Sequence, residues 1–123
     1  MGIVMLADIP KPLYWTGSTK KDLLALPDEV IDVFGFALFL AQTGRKHEQA
    51  KPLQGFGGAG VLEVVEDHMG DTYRAVYTVK FPEAIYVLHC FQKRSTHGIK
   101  TSKRDIELIR ARYRAARAHA EGA

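Results

Sequence analysis

At 123 residues, with 46% hydrophobic and 25% charged side chains, the chain has the size and composition of one globular domain spanning 1–123, neither disordered nor fibrous. Its formal charge of +3 and pI near 9.1 favour an acidic partner. The longest apolar run, Val33 to Ala41, is nine residues and excludes a bilayer span, and Cys90 is the single cysteine, which excludes an internal disulfide and fits a reducing compartment.

Met1 to Ile9 has no basic leader region, and Asp8 breaks its apolar stretch, so a cytoplasmic protein without a signal peptide is expected. Residues 1–11 and 118–123 are expected to be peripheral. Pro12-Leu13-Tyr14-Trp15 before Gly17 predicts a first strand. Ser18 or Thr19 can cap a helix over Lys20 to Leu26, and Pro27 starts a second, with Asp28 and Glu29 suited to its N-terminal dipole. That helix carries Val30, Val33, Phe34, Ala37, Leu38 and Ala41 at helical spacing and should end near Gly44. Phe36, Phe39 and Leu40 make it apolar almost all round, as befits a helix that is sandwiched in a core or covered by a partner.

The GFGGAG segment, 55–60, predicts a flexible loop, and it lacks the Lys-Ser/Thr of a phosphate-binding P-loop. Three strands follow: Val61 to Glu66, Thr72 to Phe81 and the strongly apolar Ala84 to Gln92, which is expected to be central. Tight connections at His68-Met69-Gly70-Asp71 and Pro82-Glu83 make them an antiparallel meander. Ser102 can cap a last helix from Lys103 to about Ala120, with Ile106, Ile109, Tyr113 and Ala116 as its apolar stripe and Arg110, Arg114 and Arg117 on another face. The order β-α-α-β-β-β-α defines an α+β domain with helices packed on one sheet.

Charge is unevenly spread. Residues 91–123 hold nine Lys or Arg against three Asp or Glu, whereas the first ninety hold eight against eleven. The excess begins where the last strand ends, at Lys93-Arg94, and a basic rim of a sheet suits nucleic acid; a plain solvated face is the competing explanation. The five histidines are scattered, without HxxxH or HExxH spacing, so neither a metal site nor a cofactor is expected. His89 and Cys90, inside an apolar strand, are expected to be packed structural residues, and His68 to sit exposed in a turn. Lys51, Arg74, Lys93, Arg94, His97 and Lys100 flank or leave the strands and could converge on one face. Cleavage of RNA needs a deprotonated 2′-hydroxyl, a stabilised phosphorane and a protonated 5′-oxygen. Cations supply the second need, and lysine or histidine the others.

In this order and spacing, Lys51-Pro52-Leu53-x-Gly55, Gly60-Val61-Leu62-Glu63-Val64, Tyr73-Arg74-Ala75-x-Tyr77, Ile85-Tyr86-Val87-Leu88-His89-x-Phe91-x-Lys93-Arg94-Ser95 and Asp105-Ile106-Glu107 resemble the phage-derived HigB-like toxins of the RelE/ParE superfamily. The resemblance runs from about Leu13 to Ala116. It implies a small twisted antiparallel sheet with two N-terminal helices and one C-terminal helix. It further implies the toxin of a type II toxin–antitoxin pair, a metal-independent mRNA endoribonuclease working on the ribosome. Its partners would be mRNA, the ribosome and a cognate antitoxin, expected to be a helix-turn-helix protein. Lys51, Arg74 and Lys93 with Arg94 fall where the family places basic residues, and His97 joins them as a catalytic candidate. Arg94, Lys100, Arg110 and Arg114 become candidates for RNA contact. Two departures stand out. His97-Gly98-Ile99-Lys100-Thr101 replaces a segment in which many relatives carry Pro, and no residue unambiguously matches the C-terminal tyrosine of some RelE-like nucleases, Tyr113 lying on the apolar stripe where core packing outweighs a catalytic role. A ParE-like gyrase inhibitor, or a phage-derived protein that only binds a partner, is the alternative.

Overall fold

The computed structural model describes residues 9–93 and 101–122. Strand β1 (Leu13–Trp15) is followed by α1 (Thr19–Leu24), α2 (Asp28–Gln42), β2 (Ala50–Pro52), β3 (Val61–His68), β4 (Asp71–Thr78), β5 (Ile85–Gln92) and α3 (Lys103–Gly122). The sheet order is β1-β5-β4-β3-β2. Thus β3, β4 and β5 form the expected meander and β2 extends it antiparallel, while β1 runs parallel to β5. The middle place falls to β4. Strand β5 is interior as well, and Ile85 to Cys90 are all buried, which is why this strand reads as one continuous apolar run.

Local chemistry sets the boundaries. Pro27 is the N-cap of α2 rather than its first helical residue. The helix closes with Gly44 at φ 78°, whose N–H donates to Ala41 O, and with Arg45 N–H on Leu40 O: a Schellman end that needs the left-handed conformation glycine supplies. The β3–β4 hairpin turns on Met69 and Gly70, both at positive φ, so a two-residue turn joins the strands with matching twist. Ser102 caps α3 by accepting from Asp105 N–H at 3.2 Å and donating to that residue's carboxylate at 2.7 Å. Ser18 heads α1 but donates to the Asp22 side chain instead of capping the backbone.

Two cores lie on opposite faces of the sheet. One joins Val30, Phe34 and Leu38 of α2 to Val64, Tyr77 and Val87. The other joins Ile109 and Ala116 of α3 to Val76, Tyr86 and Leu88, with Leu53 and Phe56 of the glycine-rich segment. Helix α2 is not sandwiched: Phe36 and Phe39 remain 55% and 45% exposed. Cys90 is buried. His68 is half-buried rather than exposed, with Nδ1 at 3.0 Å from a Glu29 carboxylate oxygen.

One irregularity matters. Val76 pairs with His89 and Tyr77 with Val87, so Leu88 is an extra residue in β5, a bulge. Leu88 enters the α3-side core while His89 next to it also reaches α3. Arg112 Nη1 on α3 donates to Leu88 O at 3.0 Å, giving the bulge carbonyl a partner.

Candidate functional site

The α3 face of the sheet is not fully covered. Beside the first turn of α3 lies a cleft of about 650 Å³, floored by β2, β3 and β4 and walled by Thr101 and Ile106. Register explains its floor. Lys51 of β2 stands directly opposite Glu63 of β3, and Glu63 pairs with Val76, which leaves Arg74 diagonal to it on the same face. Arg74 pairs with Phe91, and Lys93, two residues on, donates its backbone N–H to Thr72 O at 2.8 Å. Lys51, Arg74 and Lys93, candidates from three separate segments, therefore line the same cleft.

Arg74 is 5% exposed and Glu63 6%. Arg74 Nη1 donates to Glu63 Oε2 at 2.8 Å and to Thr101 Oγ1 at 2.9 Å. Strand β4 thus presents a guanidinium whose direction is fixed by a neighbouring strand and by the residue that leads into α3. Thr72 on the same floor donates to Asp67 at 2.7 Å. Among the described residues of the lining, three cations, Lys51, Arg74 and Lys93, face two carboxylates, Glu63 and Asp67, so this lining is cationic on balance. Such a floor can hold a phosphate group and stabilise negative charge that develops on it. Glu63 and Thr101 were missed from the sequence. A glutamate between Leu62 and Val64 in an apolar strand was the available signal, but its partner is fixed only by strand register.

The other candidates are placed differently. Arg94, His97 and Lys100 lie outside the described residues. Arg110 is exposed on α3, with its Nη2 on Gly55 O at 3.0 Å and its guanidinium 4.5 Å above the Phe56 ring, so it fastens the glycine-rich loop to the helix. Arg114, one turn along, is exposed beside the same loop. Under the first turn of α3, His89 Nε2 meets Asp105 Oδ1 at 2.8 Å, and its Nδ1 lies 3.4 Å from Arg112 Nη1. Burial holds the His89 imidazole below its ordinary pKa; the Asp105 hydrogen bond and charge oppose this, and Arg112 reinforces it. Among the described residues no group of three or more His, Cys, Asp or Glu could hold a metal ion. No helix there is long and apolar enough to cross a membrane.

An open, twisted five-stranded sheet with three helices and this element order is an α+β architecture of the RelE-like kind. More narrowly, the chain belongs to the Gp49-like family: residues 21–114 match the family model described as phage derived protein Gp49-like (DUF891). No curated protein matches the chain.

Proposed function

We propose that this protein is the HigB-like toxin of a type II toxin–antitoxin system, a metal-independent endoribonuclease that cuts mRNA on the ribosome and is neutralised by a cognate, helix-turn-helix antitoxin. The observation that carries this is the meeting of Lys51, Arg74 and Lys93 in one cleft of a phage-derived, RelE-like domain. Arg74, aimed by Glu63 and Thr101, stabilises the pentavalent phosphorane. Lys93, with Lys51 or His97, handles the protons of the 2′-hydroxyl and the leaving 5′-oxygen. Arg94, Lys100 and Arg114 contact phosphates. Arg110, already engaged with Gly55 and Phe56, holds the loop at the cleft's edge.

Expression without antitoxin should arrest growth and produce mRNA cuts that require ribosomes. Arg74→Ala with Lys93→Ala should abolish both. Lys51→Ala with Lys93→Ala should do the same without removing a buried side chain, since Lys51 is exposed and Lys93 half-buried. Full toxicity in both double variants would refute the site. The buried Glu63–Arg74 pair supports a second function, that of a ParE-like gyrase inhibitor or a non-catalytic binding protein, because a neutralised guanidinium has less charge to offer a phosphorane. Purified protein with translating ribosomes decides between them: a gyrase poison leaves the transcript intact.

A further inference from the structure

We infer that a second groove, running from the cleft along the side of α3, binds the single-stranded RNA beyond the bond to be cut; this rests on the RNA-cleaving function proposed above. Continuity is the first ground. Gly55 borders the cleft and also a depression of about 240 Å³ between the glycine-rich loop and α3, at Arg110, Tyr113 and Arg114. That depression shares Gly57, Ala59 and Tyr113 with a larger one of about 540 Å³, which ends at Lys80, Phe81 and Arg117. The three hollows adjoin in series along the seam between the loop and α3, with the Arg110 contact to Gly55 at the junction of the first two.

Its chemistry is the second ground. Lys80, Arg110, Arg114 and Arg117 line the two outer hollows, and the one carboxylate among the described lining residues, Glu121, is 3.0 Å from Arg117 Nε. Phe81 and Tyr113, both half-buried, stack with centroids 5.9 Å apart and supply an aromatic platform. Gly57 lines both outer hollows and Gly58 the far one, and an added Cβ at either would meet nothing within 4 Å, so backbone there is open to a sugar-phosphate chain. Cations that track a backbone beside rings that stack bases are the recognition chemistry of single strands rather than duplexes.

The test uses intact protein and uncleavable 2′-O-methyl RNA in two lengths: roughly 4 nucleotides, to fill the cleft, and roughly 12, to reach Phe81. Wild type should bind the longer RNA more tightly. Lys80→Gln with Arg114→Gln, both exposed positions, should weaken only the longer RNA and lower its salt slope by about 1.4, some 0.7 per lost phosphate contact. Tyr113→Leu should weaken the longer RNA about 5-fold or more and leave the slope alone. Equal binding of both lengths by wild type, unchanged affinity in the variants, or tighter binding of duplex DNA would overturn the groove. Binding of neither RNA would likewise overturn the groove, whereas the RNA-cleaving function falls separately, if translating ribosomes leave the transcript intact.

Discussion

Removing the Glu63 carboxylate should reveal what the cleft costs the fold. Both members of the Glu63–Arg74 pair have side chains under a tenth exposed, 8% and 6%, and they meet at 2.8 Å. Glu63→Leu takes the Glu63 charge away from the buried Arg74 guanidinium, a change that costs about 3–5 kcal/mol. Glu63→Gln keeps an amide oxygen in place to accept from Nη1 and loses only the charge, so its cost should fall to about 1.5–3 kcal/mol. Glu63→Leu combined with Arg74→Met removes both charges and should return to within about 1 kcal/mol of wild type, because apolar replacement of a buried pair is nearly neutral. Total stability of such a domain is about 5–15 kcal/mol, so the single change takes a large share of it. Urea titrations near neutral pH, read at constant m, measure these proteins, and Arg74→Met alone, set beside wild type, Glu63→Leu and the double variant, closes a double-mutant cycle. The reasoning fails if Glu63→Leu lies within about 1 kcal/mol of wild type, or if the double variant is no more stable than the worse single one.

Two other expectations concern β5. Burial keeps the His89 pKa in the folded state below its unfolded value near 6.5, so the unfolded chain takes up protons first on acidification. Stability should be unaffected by His89 above 6.5 and should fall as pH drops from there through the folded value; His89→Gln should flatten this segment relative to wild type in urea melts compared at about pH 7.5 and about pH 5.5. A steeper loss in the variant would contradict the assignment. Burial also pushes the Cys90 thiol up to about 12, so at about pH 8 only on the order of one molecule in ten thousand carries a thiolate. Native protein should therefore react with dithiodipyridine only at the rate at which β5 opens, and prompt labelling would show that the strand is not sealed.

The parts of the fold legible in the sequence are those decided by neighbours in the chain. The end of α2 at Gly44, the Met69-Gly70 hairpin, the Ser102 cap and the apolar run of β5 each rest on residues within a few positions of one another. Strand β2 was not legible. Its three residues end in Pro52, which has no N–H to donate, and only pairing with β3 makes them a strand at the sheet's edge. The parallel place of β1 beside β5 is likewise a long-range fact. The cleft divides in the same way. Lys51, Arg74 and Lys93 could be nominated by residue type, but the Glu63 beside Arg74 follows from a diagonal register that no local pattern encodes. Arg110 carries the same lesson: a cation on an exposed helix face reads as solvated or RNA-facing, and only the folded chain shows that its guanidinium also fastens Gly55 and covers Phe56.

The cleft lies on one side of the sheet because the other is sealed by α1 and α2, whose core side chains meet Val64, Tyr77 and Val87. On the open side α3 packs over β5 and leaves β2, β3 and part of β4 as a floor. Where α3 begins is then decisive, and the bulge at Leu88 helps to set it. The extra residue brings Leu88 and His89 to the same face, so that Leu88 fills the core while His89 receives Asp105 and the Leu88 carbonyl receives Arg112. Asp105 is the residue whose N–H is capped by Ser102, and Thr101 immediately before it bonds Arg74. A backbone irregularity in β5 is thereby linked, through one helix cap, to the guanidinium in β4. Regular pairing would turn His89 away from Asp105, and Thr101 would lose the anchor that holds it over the cleft.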